Sequence, residues 1–354
     1  MKKFLSILLF LTVIISTFTI DTVKADTTDE KEILSIIEGY LSHSLNLQKD
    51  LKVTKNDYIQ PDSKLSELDL LSSNSMVKWY SSTSGQFDWF DLDLQVNSID
   101  YLSDSIKVNV DEIVTGQYVG TDETTKYIVN HTLYLKNYNN QLLVEKDITT
   151  VESSNSNLDE IISDADYNKY IDQKIEIEKN KVLNLDSEIK KINSYTENDT
   201  SKKEQALAVS FGNYNRYLAK QYAIDTAFAK EDYPEYDCTN YVSKALRYGG
   251  LPTDGTWYPG SYAWIQVISL RDYLTSSGRA IQNYMTLTSS DLGDIIQLYN
   301  SSEGYWSHSV IITGVLGSSR LVSAHSYAAQ NVLFSTYYPG KTFYSNYRVL
   351  HITY

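Results

Sequence analysis

Cysteine is almost absent. The 354 residues contain one, Cys238, so no internal disulfide can form and no C-x-x-C pair exists to hold zinc or cycle a dithiol. Histidine is scarce as well, five in all, and none falls into H-E-x-x-H spacing. The sequence therefore predicts no metal centre and no other cofactor. Positive charge is short: 31 Lys and Arg stand against 45 Asp and Glu, a formal net charge of -14. So acidic a chain is a poor nucleic-acid binder and would not be drawn to an anionic cell envelope by net charge. Past the first residues no apolar run is long enough to span a bilayer.

The one apolar run that exists follows Lys2 and Lys3, extends from Phe4 to about Ile15, and leads to a V-K-A site ending at Ala25. That is the pattern of a secretory signal peptide over 1–25, and it predicts an exported protein, free of the membrane after cleavage. Losing Lys2, Lys3, Lys24 and Asp21 removes a net +2 and takes the charge from -14 to -16. About 330 mature residues exceed what one core usually serves, so two domains are expected. In an exported chain an unpaired thiol is either a small core hydrophobe or a reagent.

Residues 26–150 read as a small α+β domain. Ile33, Ile36, Ile37, Tyr40 and Leu41 are at helical spacing, and the stretches from Trp79 to Leu102, Ser105 to Gly120 and Thr125 to Thr150 alternate apolar with polar residues, with Asn139-Asn140 as a hairpin turn. His43 and His131 have no ligand partner at useful spacing and read as ordinary surface or strand residues. Residues 151–205, rich in charge and asparagine and free of glycine and proline, predict a solvated helical linker, one helix or two, ending in a polar stretch near Glu197–Ser201.

Residues 206–354 have a different texture. YNRYLAKQYAIDTAFAK predicts a helix, Pro234 breaks it, and DCTNYVSKALRYGG begins another that stops at Gly249-Gly250. Cys238 then falls in the first turn of that second helix, where unpaired main-chain N–H groups and the helix dipole favour thiolate and can hold an oxyanion. Downstream, Leu292-Gly293-Asp294 turns into a strand, His308 opens a second, and His325 lies on a third. His308, Val310 and Ile312 alternate onto one face. Neighbouring strands can bring His308 and His325 into hydrogen-bond reach, the arrangement of a base and its orienting residue. A strand histidine is more often a satisfied polar group; the cysteine followed by two histidines in order favours catalysis for Cys238 and His308 and leaves His325 open. Trp257, Tyr258, Tyr262 and Trp264 either line a groove or fill a core, and the thirty tyrosines leave the same choice open.

Taken together, Y-x-x-Y-D-C-T-N-Y-V-S-K-A-L-R-Y-G-G at 233–250, SYAWIQVISLRDYL, DLGDIIQLY, WSHSVIITG and LVSAHS resemble the "putative amidase domain" family of secreted Firmicutes proteins, which is similar to the NlpC/P60 and CHAP groups of papain-like cell-wall hydrolases. The resemblance implies an α+β fold in which a nucleophile helix packs on an antiparallel sheet, with Cys238 as nucleophile, His308 as general base and His325 as the residue that orients it. Asn331 is an alternative third residue, because relatives also use Asn, Gln or Glu. Asn240, Ser243 and Gly250 match the small and polar helix positions; Trp264, Leu270, Arg271 and Tyr273 match the segment beside the cleft. No glutamine stands immediately before Cys238, unlike the CHAP pattern, so the side-chain half of an oxyanion hole has only Tyr222 as a candidate.

The activity so implied is amide hydrolysis through a thioester: Cys238 attacks the carbonyl, His308 protonates the leaving amine, and water then resolves the acyl-enzyme. An amine in place of water would make the same site an acyltransferase. The resemblance also implies a peptidoglycan peptide as substrate and a secreted, extracellular or cell-wall location in a Gram-positive bacterium. The alternative is a non-catalytic binding protein on a degenerate papain-like scaffold, distinguished by an inert, buried cysteine.

Overall fold

In the computed structural model, which describes residues 27–149, 163–198, 213–233, 236–282, 286–341 and 343–354, the alternating segments become one antiparallel sheet. The expected signal peptide and the stretch at 199–201 lie outside the described residues. Two helices come first, α1 (Thr27–Asp50) and α2 (Lys64–Ser82). The second was not expected. Ser63 caps it by accepting the Ser66 N–H at 3.1 Å. Four strands follow: β1 (Phe87–Tyr101), β2 (Ile106–Tyr118), β3 (Thr124–Tyr138) and β4 (Gln141–Thr149). Asn139 and Asn140 make the β3–β4 turn with φ of 52° and 65°, the left-handed pair that a two-residue hairpin requires.

Of the segment expected as a solvated linker, the described residues form one helix, α3 (Asp164–Asn198), and part of it is packed against the N-terminal core. Tyr167, Ile171 and Ile175, spaced by four, are buried in a core with Ile33, Ile37 and Leu41 of α1 and Val108, Val110, Leu133 and Leu135 of the sheet. No helix among the described residues is long and apolar enough to cross a membrane.

The C-terminal part contributes helices α4 (Arg216–Thr226), α5 (Asp237–Tyr248), the short α6 (Tyr262–Ile265) and α7 (Val267–Ser276). Its strands are β5 (Ala280–Ile281), β6 (Ile295–Asn300), β7 (Tyr305–Leu316), β8 (Ser319–Ala324), β9 (Ala329–Leu333) and β10 (Tyr344–Ile352). Strand order is β1-β2-β3-β9-β8-β7-β6-β10-β5, with β4 on the other part of β3. The two expected units thus share one sheet, joined where Lys126 and Tyr127 pair with Gln330 and Ala329.

Each face of the C-terminal sheet has its own core. On one, Ile295, Ile311, Leu350 and Ile352 meet Tyr241, Val242, Ala245 and Leu246 of α5, with Trp257, Trp264 and Leu270. On the other, Ile296, Leu298, Val310 and Ile312 meet Phe334, Tyr337 and Tyr344. Which face a β7 residue takes therefore decides whether it can meet α5.

His131 corrects its reading as an ordinary strand residue. It is buried between Asp147 (Nδ1 to Oδ1, 2.9 Å) and Glu112 (Nε2 to Oε2, 3.3 Å), and the Tyr40 hydroxyl donates to Asp147 Oδ2 at 2.8 Å. Burial opposes its charged form, but Asp147 and then Glu112 outweigh burial and push it up to about 10. A pKa raised on folding stabilises fully below the unfolded value of about 6.5 and loses that contribution as pH climbs towards 10. The melting temperature of the wild-type chain should fall across that interval, whereas His131→Gln should melt lower at pH 7 and change less with pH.

Candidate active site around Cys238

Asp237 begins α5, and its carboxylate organises the turn before it. Oδ1 accepts the N–H groups of Asp232 (3.0 Å) and Tyr233 (3.1 Å) and Asn240 Nδ2 (2.8 Å), while Oδ2 pairs with His325 Nδ1. These bonds fix the chain direction entering the helix, so the next residue is aimed into the sheet.

That residue is Cys238, 7% exposed. Its Sγ lies 3.7 Å from Thr239 Oγ1 and donates to the Ser307 carbonyl at 3.9 Å. Burial raises the thiol's pKa; hydrogen bonds from the Ser309 main chain and from Thr239 work the other way without overcoming it. The sequence placed Cys238 correctly in the first turn, but the expected lowering is reversed because desolvation outweighs the helix terminus. Alkylation of native Cys238 by iodoacetamide should accordingly be slow at neutral pH and rise only above the free-thiol value of about 8.5, with denaturant removing the lag. A fast reaction at pH 7 would contradict the buried, protonated thiol.

His308 is not brought to the thiol. On β7 the Ser309 hydroxyl faces α5, 3.2 Å from Thr239 Oγ1, and Ile311 shares that core. His308 alternates to the other face with Val310 and Ile312, stacked on Tyr337 (5.5 Å) and Tyr344 (6.1 Å). Its buried Nε2 has no hydrogen-bond partner among the described residues, and burial, with a smaller contribution from Lys341, pushes it down to about 3, so the ring is neutral. The expected grouping on one strand face holds; the face is the wrong one for α5.

His325 does not orient His308 either. Its Nδ1 meets Asp237, its Nε2 lies 2.7 Å from the Thr226 carbonyl, and its ring stacks on Tyr241 at 4.3 Å. Burial disfavours its charge, yet Asp237 and Thr226 more than compensate and raise it, while Asp237 is lowered in spite of burial by His325, Asn240 and Tyr233. Glu231, Asp237 and His325 place three donor atoms within 4.8 Å of one another. Both imidazole nitrogens face acceptors, however, so the ring donates twice and keeps no lone pair for a cation. The cluster is an ion pair that pins α5 to the end of α4. Sequence reading missed it because the partners stand 88 and 99 residues from His325.

Asn331 is placed elsewhere, at φ 52°, donating from Nδ2 to the Thr124 carbonyl at 3.0 Å where the two halves of the sheet meet. Asn240 and Ser243 hold the packing segment: Trp264 Nε1 donates to Asn240 Oδ1 at 2.7 Å, and Ser243 accepts from Trp257 Nε1 (3.2 Å) and donates to the Trp264 carbonyl (2.9 Å). Trp257 and Trp264 are core; Tyr258 and Tyr262 are exposed. Tyr222 packs on Tyr248 at 5.1 Å and lines a groove of about 460 Å³ with Lys244, Arg247, Pro259 and Trp264.

Comparison with known proteins bears on the segment that builds this site. Residues 204–346 match the family described as "Putative amidase domain". The match takes in α4, α5, the strands β5 to β9 and the start of β10, hence Cys238, His308 and His325 together, and it points to amide hydrolysis as the chemistry of the segment. Two Bacillus subtilis (strain 168) proteins have similar sequences. One is "Uncharacterized protein YjcM", 31% identical over 138 residues, 35% of this chain and 34% of YjcM. The other is "Uncharacterized protein YhbB", 27% identical over 220 residues, 53% of this chain and 69% of YhbB. The chain thus spans about a third of the first relative and about two-thirds of the second. No solved structure matches the chain.

Proposed function

We propose that this is an exported cysteine amidase or peptidase that cleaves amide bonds in cell-wall peptides, with Cys238 as the attacking atom and a papain-like division of labour between α5 and the sheet. The observation that carries the reading is the position of Sγ: in the first turn of a helix within the matched segment, against β7, with the Ser309 and Thr239 main chains donating to the sulfur. Those N–H groups would hold a thiolate and its thioester once a base takes the proton. The signal pattern of residues 1–25 supports export and so the wall as the place of action.

A specific observation favours a second reading, binding without turnover: the thiol is buried and protonated, and His308 faces the opposite side of the sheet. Hydrolysis of peptidoglycan fragments by the wild type, Cys238→Ala and His308→Gln separates the two. Turnover lost in Cys238→Ala supports the amidase; equal loss in His308→Gln means that β7 rearranges to bring the imidazole across in the working enzyme. Binding of the fragments with no turnover by the wild type would sink the amidase and establish the scaffold.

A further inference from the structure

A row of buried polar side chains leads from the neighbourhood of Cys238 to a guanidinium whose hydrogen-bonding capacity is not filled. Ser309 of β7 stands opposite Gln297 of β6, and Gln297 opposite Arg348 of β10, so the three side chains form a row on the face covered by α5 and α7. The row is connected: Gln297 Nε2 donates to the Val267 carbonyl at 2.7 Å and to Ser309 Oγ at 3.4 Å, and Gln297 Oε1 accepts from Arg348 Nε at 2.8 Å. Ser309 Oγ in turn is the neighbour of Thr239 Oγ1, beside the thiol.

Arg348 is thereby held at Nε and, 4.1 Å from the Trp306 ring centre, on one face. Its Nη2 is buried with no hydrogen-bond partner, and no carboxylate among the described residues is in ion-pair contact with it. The residue is only 8% exposed. A charge of the same sign acts on it from α7: Arg271, whose own buried Nε has no hydrogen-bond partner among the described residues and whose Nη1 is 2.7 Å from Asp272. Burial, and then Arg271, push Arg348 down to about 10, against a smaller opposing pull from Asp272. Asp272 offsets part of this from the side of Arg271, but it does not reach the buried edge of Arg348, and a buried guanidinium edge with no acceptor is costly. With Nε committed to Gln297, the free Nη1 and Nη2 edge matches a planar two-oxygen acceptor.

We propose that Arg348 and Arg271 form an anion subsite at the far end of the Thr239–Ser309–Gln297–Arg348 row from Cys238 and that it receives a carboxylate carried by the substrate. The subsite is a property of the arginines; that its ligand is a substrate rests on the amidase reading. The cleaved amide would then belong to a molecule with a free carboxylate on the α7 side of the scissile carbonyl, and Gln297, locked by Val267 and Ser309, would be the positioning residue that sets the guanidinium angle.

The test titrates the full chain with N-acetylglycine and with its uncharged analogue N-acetylglycinamide, followed by calorimetry. The acid should bind saturably and about tenfold tighter than the amide. Arg348→Gln should abolish that preference, Arg348→Lys should weaken it by keeping charge without the fork, and Arg271→Gln, at a less buried position that leaves folding intact, should weaken it too. Acid and amide binding alike, neither saturating, or a preference untouched by Arg348→Lys and Arg271→Gln would overturn the subsite. Turnover is read separately: an active enzyme indifferent to the carboxylate removes only the subsite, and carboxylate binding with no hydrolysis removes only the amidase.

Discussion

Asp294→Ala should destabilise the C-terminal unit by about 3 kcal/mol or more, since removing one partner of a buried pair strands the others. Asp294 is fully buried and accepts from four directions: Arg216 Nη1 (2.6 Å) and the Ile352 N–H (3.1 Å) at Oδ1, His351 Nδ1 (2.8 Å) and the Asp291 N–H (2.9 Å) at Oδ2. One carboxylate therefore ties α4, the turn into β6 and the last strand together. Arg216 keeps contact with water, which holds the expected loss to the lower end of the range for buried pairs, and that loss lowers the melting temperature by roughly 6–12 °C in a domain of this size. Asp88→Ala, at an exposed position, should change stability by less than about 0.5 kcal/mol. Thermal melts of the two variants compare a buried acceptor with a surface charge of the same type, and an Asp294→Ala chain as stable as the wild type would refute the role given to this carboxylate.

On the amidase reading, Cys238→Ala should lower turnover by a factor on the order of 10⁴ or more, the scale seen when a covalent nucleophile is removed outright. The fold should survive. The substitution deletes one sulfur atom at a site bounded by Thr239 and the β7 main chain, a loss of about 1 kcal/mol. Activity assays beside melts read both effects. Retained hydrolysis by a folded Cys238→Ala chain would remove the cysteine from the chemistry, whatever the alkylation profile shows.

Period-two alternation made β1 to β4 legible in the sequence, and Asn139-Asn140 marked their last hairpin. The unexpected α2 was hidden because its buried positions include Ser73 and Ser75 beside Leu65 and Trp79, so its inward stripe does not read as apolar. Residues 167, 171 and 175 carried helical spacing inside a segment whose overall charge suggested solvent. At the site, alternation showed that His308, Val310 and Ile312 travel together, but not which side of the sheet α5 would cover. That side is settled by long-range packing of Tyr241, Val242 and Leu246 on Ile295 and Ile311, which no local pattern encodes. The Asp237–His325 pair and the His131 cluster escaped for the same reason: each depends on strand register or loop closure across many residues. Arg348, Gln297 and Ser309 show no motif at all, since only the pairing of three strands aligns them.

Because β3 pairs with β9 as well as with β2 and β4, the N-terminal half does more than precede the candidate catalytic part. Gln330 and Ala329 are matched by Lys126 and Tyr127, Thr125 donates to the Gln330 carbonyl, and Lys220 reaches Glu123 across the seam. A β9 strand without β3 would present unmatched N–H and C=O groups as a template for another chain. The N-terminal half thus acts as an edge guard: it closes the sheet on the side where the C-terminal strands would otherwise invite self-association, and it couples the solubility of the second half to the folding of the first.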